Sequence, residues 1–216
     1  MKSSDRSQLH RIPERGSHDP QVIRSVLGAG FLAHVGFSVN SQPFVIPMLF
    51  APGGEHTLFL HGSAQSRVLG ELGRGVAASI AVTLVDGFVL ARSAFHHSMN
   101  YRSVVAFGTA RALMEPARKA RALHTISEHL IPGRWNEVRG PSRAELEATS
   151  VVEFTIEEAS AKIRQGPPID EEEDYARRVW AGVLPLRLTA ETPLADPRLA
   201  ADVGVPDYLR RLMSGE

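Results

Sequence analysis

From Phe31 onward the chain is a series of short apolar runs, rich in Val, Ile and Phe, cut apart by clusters of Asn, Ser, Pro, Gly and Asp. Residues 31–37 and 44–50 flank Asn40-Ser41-Gln42 and read as a β-hairpin. Pro52-Gly53-Gly54-Glu55 is the next turn, and residues 57–61 the third strand. Residues 76–84 are rich in β-branched side chains, and Asp86-Gly87 is a strong turn signal. Residues 88–95, 101–114, 151–156 and 180–188 supply the remaining strands. Six or seven short antiparallel strands decorated by helices point to a small barrel, mainly β with α. Alternation alone leaves a jelly roll or a sandwich open.

The helices announce themselves by their caps. Asp19 stands at an N-cap with Pro20 at the first helical position, and Val22, Ile23, Val26 and Leu27 form one apolar face. Residues 64–72 have helical spacing, with Ser63 as a candidate cap. Pro116 opens a helix that runs to about residue 130, where Pro132-Gly133 stops it. Ser142 and Glu145 have the spacing of a capping box. A short helix is expected over residues 206–212.

With 216 residues, 43% of them apolar, the chain has material for one packed domain with appendages. We divide it into an N-terminal arm (1–18), read as loose, a barrel domain (19–190) and a C-terminal tail (191–216) with the short helix. The 24 basic and 24 acidic side chains cancel, which argues against nucleic acid or an anionic membrane as the main partner. No cysteine is present, so disulfides, thiolate zinc sites and a thiol nucleophile are excluded. No apolar run reaches the roughly 18 residues a membrane span needs. The first nineteen residues lack the apolar core of a signal peptide. A soluble cytoplasmic protein is expected.

Three polar clusters could carry chemistry. In His61-Gly62-Ser63-Ala64-Gln65-Ser66-Arg67 a strand passes into a helix start that offers hydroxyls, a guanidinium and free N–H groups. That set suits a phosphate monoester, and it also describes an ordinary cap beside a surface arginine. Between two later strands lie Arg92, His96, His97, Arg102 and Ser103. Adjacent residues on a strand point to opposite faces, so His96 and His97 are not expected to share a metal. Arg92 and Arg102 are better read as anion contacts, or as a solvated hairpin end. Lys162 and Arg164 precede the rigid Gly166-Pro167-Pro168 and fall on one side of an extended segment. Trp180 offers a plane for stacking or for the core. No dinucleotide fingerprint, Walker loop or nucleophile elbow is found.

The ordered set of motifs resembles the pyridoxamine 5′-phosphate oxidase superfamily, in its flavin-nucleotide-binding, nitroimidazole-resistance-like branch. The matching stretches are residues 11–16, 42–47, 58–63 with Ser66-Arg67, 82–87, 91–104, Gly108, 132–134, 158–164 with 166–168, and 180–183. The resemblance implies a split β-barrel, an antiparallel Greek-key barrel of six or seven strands with peripheral helices. It further implies a homodimer with FMN in a groove between subunits. Val45, Ile46 and Pro47 would line the isoalloxazine, with His61, Gly62 and Ser63 beside the ring and ribityl chain. Ser66 and Arg67 match the family's phosphate grip. Thr83 would approach from the next strand, and Arg102 and Ser103 from the second subunit. Lys162 and Arg164 would close over the flavin, and Trp180 could stack on it. His61 is the candidate catalytic residue. Val68 stands where oxidases proper carry a lysine, and their Arg-Leu-His pattern is missing, so pyridoxine-phosphate oxidation is not expected.

Flavin carries its own redox chemistry, so no catalytic triad is required. The leading expectation is an FMN-dependent oxidoreductase passing electrons from NAD(P)H to a small aromatic or nitro compound. The alternative is a non-catalytic flavin- or haem-binding module, with His61 or His97 as axial ligand. A deazaflavin in the same barrel is a third reading.

Overall fold

The computed structural model describes residues 5–214. Its core is a set of antiparallel strands: β2 (Leu32–Val39), β3 (Gln42–Gly54), β4 (Thr57–Ser63), β5 (Arg74–Leu90), β6 (Ser98–Ala112) and β7 (Thr149–Arg164). They pair in the order β7-β4-β3-β2-β5-β6, and β6 pairs back onto β7, closing a barrel. The meander β2-β3-β4, with β5 returning beside β2, is a Greek key. Two short strands extend the barrel: β1 (Gly16–Ser17) on β7 and β8 (Gly182–Pro185) on β5. The helices are α1 (Pro20–Ala29), α2 (Arg67–Gly73), α3 (Pro116–Leu130), α4 (Arg143–Ala148) and α5 (Asp207–Ser214). The split barrel expected from the sequence is what forms.

Local chemistry explains the elements. The β2–β3 turn places Asn40 and Ser41 at φ 49° and 66°, the left-handed pair that a two-residue hairpin needs. Asp19 caps α1 by accepting from the Gln21 N–H at 2.8 Å. Ser142 and Glu145 form the anticipated capping box on α4. Alternate strand residues fill the interior: Val35, Phe50, Leu60, Ile80, Val82, Val104, Val152 and Phe154 are all essentially inaccessible. Leu69 and Leu72 of α2 and Ile23 and Val26 of α1 plug into the same core.

Five expectations need correction. Asp86-Gly87 is no turn: β5 runs straight through it with a register shift between Val85 and Gly87. A Cβ on Gly87 would stand 2.9 Å from the Leu184 carbonyl oxygen, so the glycine is there to admit β8. Strand β7 does not stop near residue 156 but continues to Arg164. Its polar stretch is tolerated because Glu158 accepts from Arg6 Nε at 2.9 Å and from the Ser7 hydroxyl at 3.1 Å. By the same contacts, the described part of the arm is docked rather than loose, and Ser7 is buried. Helix α2 begins at Arg67, capped by Ser66 rather than Ser63. The last strand of the barrel region is only Gly182–Pro185, which leaves Trp180 outside it.

Candidate functional site

The sequence candidates fall into two groups at opposite ends of the barrel. At the end where β4 leaves for α2, Ser63 accepts from the Gln65 N–H at 3.2 Å, and Ser66 accepts from the Leu69 N–H at 3.4 Å. Arg67 is exposed and makes no ion pair among the described residues; its guanidinium lies 4.8 Å over the Phe44 ring. That cation–π contact orients the fork without using its N–H donors. Phe44 itself stacks on Phe37 at 5.3 Å. Beside this corner Val45 and Pro47 lie on the outer face of β3 and are exposed, Val45 to 66%.

Two residues expected here face the other way. Ile46 alternates inward and packs on the core. Gly62 is bare for packing: a Cβ there would come 3.0 Å from Leu69 Cδ1 of α2.

The second group clusters where β5 ends and β6 begins. Thr83, Ser103 and Lys162 form one cross-strand row on the outer face. The Ser103 hydroxyl donates to the Lys162 carbonyl at 3.2 Å, and Lys162 Nζ to the Arg11 carbonyl at 2.8 Å. Arg102 holds Asp86 with two hydrogen bonds, 3.0 and 2.7 Å. Arg164 is buried; it donates to Asn100 Oδ1 and, at 3.1 Å each, to the carbonyls of Gly166 and Pro167. It pins the loop rather than presenting charge to a ligand. Trp180 is 66% exposed, its ring laid against Gly182.

The separation follows from register. Phe44 pairs with Phe37, which pairs with Ala78, whereas Thr83 lies five residues further along β5, about 17 Å at the usual strand rise. Around the second group the outer face also carries Leu32, Leu49, Val85 and Val105, all substantially exposed.

Sequence reading missed the surroundings of His61. Its side chain faces a groove of about 420 Å³ between β4 and α3, lined by Leu123, Ile126, Leu130 and Trp135, with Arg139 and Glu145 at the rim. Helical spacing marked Leu123, Ile126 and Leu130 as one face, but not which strand they would cover. Arg139 and Glu145 are joined at 2.6 Å, and with the Ser142 N–H this holds the Glu145 carboxyl down at about 2. The rim pair therefore stays ionised well into acid. The His61 ring makes no hydrogen bond among the described residues, and burial lowers its pKa.

The neutral imidazole makes a prediction about pH. As pH falls below the ordinary histidine value of 6.5, the unfolded chain takes up a proton at this position before the folded chain does. Stability present above that pH should decline on acidification. In His61→Leu this part of the decline should disappear, as read by denaturation midpoints between about pH 7 and pH 5. An unaltered acid limb would exclude His61 as its source.

The His97 ring, by contrast, is exposed and uses Nδ1 to accept from the Ala91 N–H at 3.1 Å. Arg92 turns to the buried Asp170, bonding it at 3.1 Å through Nη1 and at 2.8 Å through its backbone N–H.

A closed antiparallel Greek-key barrel, with polar corners at both ends and an apolar outer strip between, defines the split-barrel class. The chain belongs to the pyridoxamine 5′-phosphate oxidase family, whose sequence model matches residues 19–163. It is similar to the flavocytochrome Anf3 from Azotobacter vinelandii, at 39% identity and TM-score 0.89 over 97% of both chains. It is similar also to the FAD and heme binding protein from Mycobacterium smegmatis, at 34% identity and TM-score 0.87, covering 92% of this chain and 97% of that one. A Bacteroides thetaiotaomicron structure named for 5-nitroimidazole antibiotic resistance shares the fold at 22% identity and TM-score 0.58, covering 68% and 86%. No protein of curated function matches the chain. Among the described residues no helix is long and apolar enough to cross a membrane.

Proposed function

We propose that the chain is a flavin-nucleotide-binding redox protein that works as a homodimer, with a haem in the groove at His61. The observation that carries the flavin reading is Arg67: a guanidinium with no ion pair among the described residues, aimed by Phe44, beside exposed Val45. Charge-assisted bonds from Arg67, with the Ser63 and Ser66 hydroxyls, suit a phosphate. Val45 and Pro47 offer the apolar floor that a tricyclic ring needs. Bound flavin would supply the hydride and electron chemistry; the protein's part is to orient the ring, hold its charged tail and keep water off it.

The split between the two groups supports the dimer reading. One chain cannot bring Thr83, Ser103 and Lys162 to a ring held near Val45. A two-fold axis across the exposed Leu32, Leu49, Val85 and Val105 face lays one copy's phosphate corner against the partner's opposite end. Between FMN, expected from the sequence, and FAD, the name of the M. smegmatis relative favours FAD.

The haem reading rests on His61. A neutral imidazole with no side-chain hydrogen bond among the described residues, facing an apolar slot, is the donor a haem iron takes, and the A. vinelandii and M. smegmatis relatives carry flavocytochrome and heme in their names. His97, the other candidate ligand, is exposed on the barrel surface, and its Nδ1 already accepts from the Ala91 N–H.

One experiment tests both cofactors. The purified protein should show flavin absorbance together with a Soret band, and mass spectrometry of the released ligand should identify FMN or FAD. His61→Ala should abolish the Soret band and leave the flavin content of the dimer intact. A colourless protein that takes up neither cofactor on reconstitution would overturn the whole reading; a Soret band that survives in His61→Ala would move the haem elsewhere.

A further inference from the structure

Helix α3 covers the His61 groove, and the turn that follows it adds Trp135 to the lining. That turn is held from two sides. After Leu130 the chain doubles back through Gly133, at a left-handed φ of 93° that suits glycine, into the single turn Arg134–Glu137. On the α3 side the Glu128 carboxylate accepts from the Gly133 N–H at 2.7 Å and from the Trp135 N–H at 3.0 Å. The Trp135 ring meets the His124 ring of α3 edge to face at 5.3 Å.

The other side is held from the C-terminal helix. The Tyr208 hydroxyl of α5 donates to Glu137 Oε2 at 2.7 Å and accepts from Arg134 Nη1 at 2.9 Å. Its ring packs against the bare face of Gly133. Tyr208 is the one buried residue among those described in α5. A helix of eight residues does not hold its shape alone in water, so docking keeps α5 formed. Its tether is open: residues 186–206 form no helix or strand, and all but Leu186, Pro193 and Pro206 are exposed. α5 can therefore dock or leave without moving a barrel strand.

We propose that Tyr208 is a positioning residue for the His61 groove: through it α5 latches the Arg134–Glu137 turn, and with it Trp135, against whatever the groove holds. That the occupant is haem rests on the reading above; the coupling of Tyr208 to Trp135 does not. With the latch docked, the turn is fixed by Glu128 on one side and by Tyr208 on the other. With the latch released, only the Glu128 contacts remain, and Trp135 swings more freely. Ligation of the occupant belongs to His61, and its retention to α5.

The chain has two tryptophans, so in a Trp180→Phe background emission reports Trp135 alone. Tyr208→Phe keeps the ring on Gly133 and deletes both hydrogen bonds; Tyr208→Ala deletes the ring as well. In the full-length protein before haem is added, acrylamide should quench Trp135 more steeply in Tyr208→Phe than in the parent, and more steeply still in Tyr208→Ala. After haem is added, its transfer to excess apomyoglobin should quicken by about tenfold or more in Tyr208→Phe, the loss of a hydrogen bond to a charged group. The Soret position should not move, because His61 still ligates. Arg210→Ala, which removes only the exposed pair with Asp207 at 3.3 Å, should match the parent in every readout. Parent-like quenching in both Tyr208 variants would overturn the inference, as would haem loss at the parent rate from a variant whose Trp135 is loosened. Equal loosening of Trp180, read in a Trp135→Phe background, would make Tyr208 a support of the whole fold and overturn it too. If no haem is taken up while quenching still separates the variants, the haem reading fails and the latch on Trp135 stands.

Discussion

Arg67→Ala should lower flavin-nucleotide affinity by roughly 10- to 150-fold, the cost of losing one charge-assisted contact to phosphate. The argument is geometric. Arg67 begins α2, is exposed, and has no carboxylate partner among the described residues, so its donors are free to meet an anion. Phe44 holds the guanidinium at 4.8 Å through its face, which lowers the entropy lost when a ligand arrives. Arg67→Lys should recover only part of the loss, because an ammonium keeps the charge but not the planar two-pronged fork. Riboflavin supplies the control, since it has the ring and ribityl chain but no phosphate. Titration by flavin fluorescence should show Arg67→Ala reducing affinity for FMN and FAD while leaving riboflavin almost unchanged. Equal losses for all three would mean that Arg67 supports the corner rather than gripping a phosphate. No loss for any would remove it from the site.

The strands of this barrel were legible because each has a local cause. Asn40-Ser41 can adopt left-handed geometry, and the runs on either side alternate, so the hairpin could be read from a dozen residues. The caps at Asp19 and at Ser142 with Glu145 are equally local. What failed to show were features whose cause lies far along the chain. Glu157 and Glu158 look like the end of a strand until Arg6, about 150 residues away, is seen to bind both. Asp86-Gly87 looks like a turn until β8, about 100 residues further on, is seen pairing beside Gly87. In both places a polar or glycine residue within a strand was answered by a distant partner.

The site divides along the same line. Ser66 and Arg67 could be singled out because a strand end, a cap and a basic residue follow one another directly. Arg164 was misjudged for a physical reason: an arginine before a glycine-proline loop can face solvent or fold back onto the loop's own carbonyls, and here it folds back. The distance between the two groups could not be read at all, since it depends on how β5 registers against β2. That distance is what the proposed second copy would bridge. The His61 groove was hidden likewise, because α3 is joined to β4 only through the tertiary fold.

Gly108→Ala should be the most damaging small substitution in the chain, and the reason lies in barrel closure. Strands β6 and β7 form the closing seam, and their register shifts between Phe107 and Gly108. Phe107 pairs with Glu158 and Gly108 with Ile156, so Glu157 is an extra residue on β7. The bulge presses the β7 backbone against Gly108: a Cβ there would stand 1.9 Å from the Thr155 carbonyl oxygen and 3.1 Å from Phe154 Cζ. Neither neighbour can yield cheaply. The carbonyl belongs to the ladder, and Phe154 is wholly buried in the core. Relief requires opening the seam, so the cost should sit at the upper end of overpacking effects, about 3 kcal/mol or more. At about 2–4 °C per kcal/mol for a chain of this size, the melting midpoint should fall by about 6–12 °C. Gly28→Ala is the matched control: apart from its own helix backbone and chain neighbours, no described atom lies within 4 Å of the added methyl group, and the residue is in α1. It should be neutral or stabilise by about 0.5–1 kcal/mol. If Gly108→Ala melts with the parent, the β6–β7 seam is looser than this register requires, and the barrel is not held shut at Gly108.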